Sequence, residues 1–346
     1  MSKVCLVTGG SGYFGQVLSS KLIKNNYKVI IIDLHKTNLK HNNLKYIRCD
    51  ITNKIEIEEV FSKNKIEIVF HNAAVLPIEN SKKRFWDVNF KGTINMIEMS
   101  IKYNVRKFSY MSSASIFADC KDKLINEKTI PLPVEEYGKS KLAGEAALLK
   151  YKNEIDIDII RPRTVVGRGR YGLFQIVFEW IYKGYKIPLL NKGNNIFQFI
   201  HCDDLADFSI LIESLKGYNI FNVGTNGICK IYELVDNLIK HASSKSKIIK
   251  IPKFFSNALK IVSTLRLTPV NKWHISALTK DQYYDNFKIS KELNWIPKYN
   301  NIEMICESYD QYLIHRINLL KTKKGSVHQR KLKKGLLNIL EFILKL

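Results

Sequence analysis

The stretch "VTGGSGYFGQVL", residues 7–18, constrains this chain more than any other. It places Gly9, Gly12 and Gly15 at three-residue spacing between an apolar run, "KVCLVT", and a helical pattern. Glycine permits a tight turn and close backbone approach at that point, and the first turn of a helix offers unpaired N–H groups and partial positive charge to an anion. A glycine-lined strand-to-helix turn with no ligand is the plainer alternative. Asp33 weighs against it. That residue ends the next apolar run, 18 residues after Gly15, where a carboxylate accepts hydrogen bonds from a ribose and repels a 2′-phosphate. The spacing therefore points to a dinucleotide, NAD in preference to NADP, with Lys36 nearby as an opposing charge.

Short runs rich in Val and Ile alternate with helical patterns through the first half. They read "KVCLVT", a helix over 12–25, "KVIIID", "LKYIRCD", a helix over 53–63, "IEIVFHNAA", a helix near 82–103, "RKFSYMSS", a helix over 135–152 and "IDIDIIRP". This alternation marks an α/β fold, a doubly wound parallel sheet of about seven strands with helices on both faces. Residues 1–160 are expected to form a Rossmann-type NAD-binding domain. After Arg161 the pattern loosens, with helices expected over 171–183, 203–214, 230–240 and 254–265 and strands near 187–190, 197–200 and 219–223. Residues 161–320 are expected to form mainly a smaller substrate-binding lobe over the carboxyl edge of the sheet, with segments near 195–225 returning to it. Residues 321–346 read as a basic amphipathic tail.

With 346 residues, 45% of them hydrophobic, the chain can fill a core, and disorder is not its default. Its six cysteines stand singly, with no C-x-x-C pair and no His/Cys cluster at metal-ligand spacing. That argues for a reducing compartment and no metal site. "MSKVCLVTGG" runs straight into a strand without a secretory leader, so a cytoplasmic protein is expected. The formal net charge of +23 is mostly scattered lysine, without a nucleic-acid-binding motif or interleaved aromatic and basic platform, so no nucleic-acid partner is expected.

The spacing G-x-x-G-x-x-G is where the chain begins to resemble the extended branch of the short-chain dehydrogenase/reductase superfamily, which includes NAD-dependent nucleotide-sugar epimerases, dehydratases and 3β-hydroxysteroid dehydrogenases. Further matches follow in order: "RCDIT" at 48–52, "HNAA" at 71–74, "DVNFKGT" at 87–93, "MSSASIF" at 111–117, "YGKSK" at 137–141, "RPRTVVG" at 161–167, "HCDDLAD" at 201–207 and "FNVGT" at 221–225. The resemblance runs from about residue 3 to about residue 315. It implies that Tyr13 and Phe14 line the glycine turn and that Asp50 and Ile51 contact the adenine side. It likewise implies that Ala73 and Ala74 wall the cofactor phosphates, and that Asn89 and Pro162 lie near the nicotinamide half. Ser113, Tyr137 and Lys141 become the catalytic group. Ser115 alternates onto the same strand face as Ser113 and competes with it.

Tyr137 and Lys141, at i and i+4, share one face of the helix expected at 135–152. A free tyrosine ionises near pH 10, so a base working near neutrality needs its pKa lowered by roughly three units, about 4 kcal/mol. One ammonium at about 4 Å supplies on the order of 4 kcal/mol at an effective dielectric near 20, and only about 1 in open water. The pair therefore works only in a closed cleft, helped by a positively charged nicotinamide. Ser113 would hydrogen-bond the reacting oxygen while Tyr137 takes the hydroxyl proton.

Four features bear on the substrate. Ala114 and Ser115 follow Ser113 where the resembling sugar dehydratases carry an acidic pair, which argues against dehydration. In "NIFQFIHCDDL", Phe197 stands where such epimerases commonly carry a diphosphate-binding arginine, and no clear second clamp of the type R-x-G-D appears near residue 270. Arg163, Arg168 and Arg170 in "RPRTVVGRGR" would supply replacement charge, with Thr164 among the substrate contacts; a solvated basic loop is the alternative. The segment 252–269, with Lys253, Lys260 and Arg266, mixes apolar residues at helical spacing, either over the pocket or as a plain core helix. In the tail, residues 321–346 hold eight Lys or Arg against one Glu. The apolar "LKKGLLNILEFILKL" would span only about 22 Å as a helix, too short to cross a bilayer but able to lie on its inner face. Packing against this or another subunit is the alternative. His71, His201 and His274 have no metal-ligand spacing, and Asp203 or Asp204 is expected to cap the helix that follows.

The resemblance implies an NAD-dependent nucleotide-sugar epimerase, a 4-epimerase and a homodimer. The alternatives are a 3β-hydroxysteroid-type or other lipid alcohol dehydrogenase, an epimerase of a polyprenyl-diphosphate-linked sugar at a membrane surface, and a non-catalytic cofactor sensor.

Overall fold

The computed structural model describes residues 2–77, 81–252, 280–322 and 344–345. Seven strands, β1 (Val4–Thr8), β2 (Lys28–Asp33), β3 (Leu44–Arg48), β4 (Ile68–His71), β5 (Lys107–Met111), β6 (Asp156–Pro162) and β7 (Tyr218–Val223), form one parallel sheet. Their order is β7-β6-β5-β4-β1-β2-β3. The Val- and Ile-rich runs are buried on both faces because alternate side chains feed two layers. Cys5, Val7, Val29, Ile31, Ile68 and Phe70 pack against Leu18 and Leu22 of helix α1 (Tyr13–Lys24). Leu6, Ile30, Ile32, Val69 and Phe108 meet Ile57 and Val60 of α2 (Lys54–Ser62) and Met96 and Ile97 of α3 (Thr93–Lys102). The strand order reverses between β1 and β4, and a crevice opens beyond the carboxyl ends of strands at such a point.

Helix α4 (Glu136–Leu148) closes the first half, and α5 (Phe174–Tyr182), α6 (Cys202–Leu211), α7 (Ile231–His241) and α8 (Asn301–Lys321) belong to the second. Phe178 and Ile181 of α5, Leu234 and Leu238 of α7, and Met304, Tyr309 and Tyr312 of α8 form a separate core. Edge-on aromatic contacts run through it, such as Phe178 to Tyr309 at 5.5 Å. The pattern did not lead to an expectation of α8, although its start carries a capping box in which Asn300 accepts the N–H of Glu303 and the Glu303 side chain reaches back to the N–H of Asn300.

Two elements differ from their expected form. The segment 82–103 begins with one α-helical turn, Lys82–Arg84, passes through a π-helix, Phe85–Gly92, and continues as α3. The strand expected near 197–200 is two short ones: Ile196–Phe197 pairs with Cys229–Lys230, while Phe199–His201 pairs with Thr164–Val166. The helix expected over 254–265, Lys253, Lys260, Arg266 and His274 lie outside the described residues, as do residues 323–343 of the tail. Near the tail's end, Leu344 is buried in the core of the second half and its carbonyl accepts the N–H of Lys186 at 3.1 Å. Among the described residues, no helix is long and apolar enough to cross a membrane.

Candidate active site

The glycine turn closes β1. Gly9 has φ +62°, and a Cβ there would lie 2.8 Å from the Cα of Ala73, so only glycine lets the turn press against the chain leaving β4. The Ala73 N–H donates to Thr8 Oγ1 at 3.0 Å and fixes that approach; Ala74 beside it is half-buried. A Cβ at Gly15 would run into the Gly9 carbonyl. Helix α1 starts from Gly12, which brings no capping side chain, so its first N–H groups are available to an anion. The Ser11 hydroxyl and the Asn72 amide nitrogen are buried without a partner among the described residues.

Asp33 sits at the end of β2, its Oδ2 accepting the Ser11 N–H at 3.1 Å and its Oδ1 the His35 N–H at 3.0 Å. Ile51 is buried and its carbonyl accepts from Asn95 at 3.1 Å, while Asp50 turns its carboxylate back to Thr52. A bare helix start, a carboxylate at the next strand end and orphaned polar atoms between them fit a dinucleotide.

The catalytic candidates converge on the ends of β5 and α4. The strand stops at Met111, so Ser113 and Ser115 do not alternate on a strand face as expected; Ser113 caps a 3₁₀ turn, Ala114–Phe117, and accepts the Ser115 N–H at 3.2 Å. The Ser113 hydroxyl acts on the Tyr137 phenol, pulling its pKa down, whereas the Ser115 hydroxyl is buried with no partner among the described residues. Gly138 makes this meeting sterically feasible, because a Cβ there would come within 2.8 Å of the Ser115 carbonyl. Asn89, in the π-helix, accepts the Val75 N–H at 2.8 Å and donates to Ser140 at 3.1 Å; Ser140 in turn donates to the Tyr137 carbonyl at 2.8 Å. Asn89 thereby fixes the start of α4 from behind.

Tyr137 and Lys141 are both buried, and their electrostatics are those of a dry site. Burial raises the Tyr137 phenol above its ordinary value, and the Ser113 hydroxyl and the Arg170 guanidinium pull it down. Burial likewise lowers Lys141 to about 7, against the opposing charge of Glu145. The Lys141 amine donates to the Met111 carbonyl at 2.7 Å and lies 4.6 Å from the centre of the Tyr110 ring. His71, expected to have no metal role, bridges Thr8 (2.8 Å) and Thr93 (3.0 Å), and burial lowers it to about 3, which keeps it neutral.

The arginines after Pro162, the last residue of β6, take three different places. Arg163 is buried between the rings of Tyr284 (5.2 Å) and Phe197 (5.9 Å), donates to the Gln282 carbonyl at 2.7 Å and keeps its Nε without a partner among the described residues. Thr164 is half-buried beside Phe199. Arg168 is exposed and tied to Asp203 at 3.0 Å and Glu307 at 3.3 Å. Arg170 lies 5.5 Å from the Tyr13 ring. Its guanidinium also lowers the Tyr137 phenol, a relation that spacing alone could not single out from its neighbours. Helix α6 is capped by His201, whose Nδ1 accepts the Asp203 N–H at 3.2 Å, and not by Asp203 or Asp204; Asp204 instead accepts the N–H groups of Lys298 and Tyr299.

Residues 5–224 match the family described as NAD dependent epimerase/dehydratase. The chain is 38% identical to an uncharacterized Sinorhizobium fredii protein, y4nG, across 99% of this chain and 87% of that one. It is 32% identical, over 68% of its length and 81% of the relative's, to a Methanocaldococcus jannaschii protein provisionally named UDP-glucose 4-epimerase. Among solved structures, the Thermotoga maritima UDP-glucose 4-epimerase with UDP-glucose superposes with a TM-score of 0.76 at 24% identity, covering 90% of this chain and 99% of that one. The Bordetella bronchiseptica enzyme WbmG, in complex with NAD and UDP, gives 0.76 at 19% identity, covering 91% and 96%.

Proposed function

This chain belongs to the NAD-dependent epimerase/dehydratase family and is an NAD-dependent enzyme of the extended short-chain dehydrogenase/reductase type; from that premise we propose that it is a nucleotide-sugar 4-epimerase. One observation carries the reading: Tyr137 and Lys141 are buried together on one helix, with the Ser113 hydroxyl lowering the Tyr137 phenol, while Ala114 and Ser115 supply no acid to drive dehydration. The relatives named for 4-epimerisation support the same reaction. Tyr137 takes the proton of the sugar hydroxyl as base and returns it as acid, and Ser113 holds the reacting oxygen. NAD, when bound, would supply a reversible hydride acceptor. Lys141 favours the phenolate when charged, and Asn89 holds the start of α4 in register. In this reading Arg163 meets the diphosphate: it is buried, unpaired with any carboxylate among the described residues, and retains a free Nε. Arg168 is already neutralised by Asp203 and Glu307. We assign residues 1–160, with β7, to cofactor binding and residues 161–320 mainly to the sugar nucleotide.

The test incubates the purified protein and NAD with a panel of UDP-sugars, polyprenyl-diphosphate sugars and sterols, following absorbance at 340 nm and product stereochemistry. Interconversion of C4 epimers of a UDP-sugar without net absorbance change is expected. Stoichiometric NADH formed from a sterol, or turnover confined to a lipid-linked sugar, overturns the proposal.

A further inference from the structure

Tyr137, Lys141 and Glu145 follow one another at i, i+4 and i+8 on α4, and all three are buried. Glu145 takes no part in the proton transfer described above, yet it is the most heavily bonded of the three. Ser112, one residue past the end of β5, donates to its Oε1 at 2.5 Å. Arg161 of β6 grips both of its oxygens, with contacts of 3.0, 3.2 and 2.6 Å. A carboxylate taken out of water needs such partners to remain ionised.

We propose that Glu145 is a positioning residue for the reaction: locked by Ser112 and Arg161, its carboxylate supplies the negative charge that keeps Lys141 protonated beside Tyr137. The inference rests on the reading of Tyr137 as the base. The Lys141 amine has only a carbonyl, Met111 O, as its hydrogen-bond acceptor among the described residues. The other titratable or charged groups around it are Tyr110 of β5, His71 of β4, Tyr137 on its own helix and Arg161 of β6 with Tyr218 and Tyr284 beyond; Arg170 faces Tyr137. His71 is neutral and Arg161 is cationic, so neither stabilises an ammonium. Glu145 is the one carboxylate in this set, and its charge acts on Lys141 in the direction that retains the proton. Two clamps, one from just past β5 and one from β6, hold it there, which a merely solubilising charge would not require.

The sign follows from the coupling of the two groups. Without Glu145, Lys141 releases its proton at lower pH, and Tyr137 must then ionise beside a neutral amine, which happens at higher pH. The experiment measures kcat/KM against pH for the wild type, Glu145→Gln and Glu145→Asp, with melting temperatures for each. Glu145→Gln is expected to move the ascending limb up by about one pH unit, a tenfold loss on the acid side, and to recover to within about twofold above the limb. Glu145→Asp keeps the charge and is expected to stay near the wild-type limb. If Glu145→Gln leaves Arg161 so poorly paired that the protein does not fold, the double variant Glu145→Gln/Arg161→Gln removes both buried charges and should show an upward shift of smaller size, since loss of the Arg161 cation offsets part of the change. A limb that does not move, or a loss of equal size at every pH, overturns the inference. Tyr137→Phe run alongside separates the two readings: if it retains turnover, the base assignment fails, whereas its loss with an unmoved Glu145→Gln limb defeats the Glu145 role alone.

Discussion

Gly9, Gly12 and Gly15 lie within seven residues and serve one turn, while Arg163, Arg168 and Arg170 lie within eight and end in three unrelated surroundings. On the side proposed for the cofactor the backbone carries the arrangement: φ at Gly9 and the bare start of α1 follow from residue type and spacing alone. On the side proposed for the substrate, the surroundings of each arginine are decided by what distant segments bring to it. Arg163 is stacked by Phe197 and Tyr284, Arg168 is held by Asp203 and Glu307, and Arg170 lies over Tyr13. A local motif predicts a site well when its chemistry is carried by the main chain, and poorly when long side chains choose among partners a hundred residues away.

The largest effect should fall where the two sides meet. Tyr137→Phe is expected to lower epimerisation by about 10²- to 10⁴-fold, the range of a lost general base, with NAD still bound and the melting temperature nearly unchanged; rate measurements on folded, NAD-loaded protein check it. Next comes the substrate side. Arg163→Ala should raise KM for a UDP-sugar by roughly 10- to 100-fold with a smaller change in kcat, since a charge-assisted contact contributes about 1.5–3 kcal/mol. An unchanged KM would remove Arg163 from the diphosphate and break the contrast drawn between the arginines. On the cofactor side, Asp33→Ala should weaken NAD about tenfold and narrow its advantage over NADP, as read by titration calorimetry with both nucleotides. The smallest effect belongs to Arg168→Ala. Its ion pairs are exposed, so stability should change by less than about 1 kcal/mol and steady-state rates should be nearly unaltered.

The sheet, its seven strands and the helices before residue 160 were legible because Val and Ile runs buried on both faces leave little choice of fold. Tyr137 and Lys141 were legible because a helix fixes the i, i+4 relation, and the clash a side chain at Gly138 would make with Ser115 explains why "YG" begins it. Their electrostatics were not, since a sequence does not state how completely a cleft excludes water: burial lowers the Lys141 amine to about 7 and raises the phenol. Ser115 was misread as a strand residue because the 3₁₀ turn that begins after Ser113 depends on local capping and not on periodicity. Helix α8 is not legible in the apolar pattern, although Asn300 and Glu303 mark its start, because its buried positions face a core assembled only when α5 and α7 are in place.

The wide turn of the helix at Phe85–Gly92 has a bearing on how this lineage can vary. A π-helix holds a residue more in a turn than an α-helix does, and removing one amino acid there would rotate what precedes it by on the order of 100° relative to α3. Asn89 would then swing away from Val75 and Ser140, both of which it bonds. The length of this one helix is therefore part of what holds Asn89 against both partners.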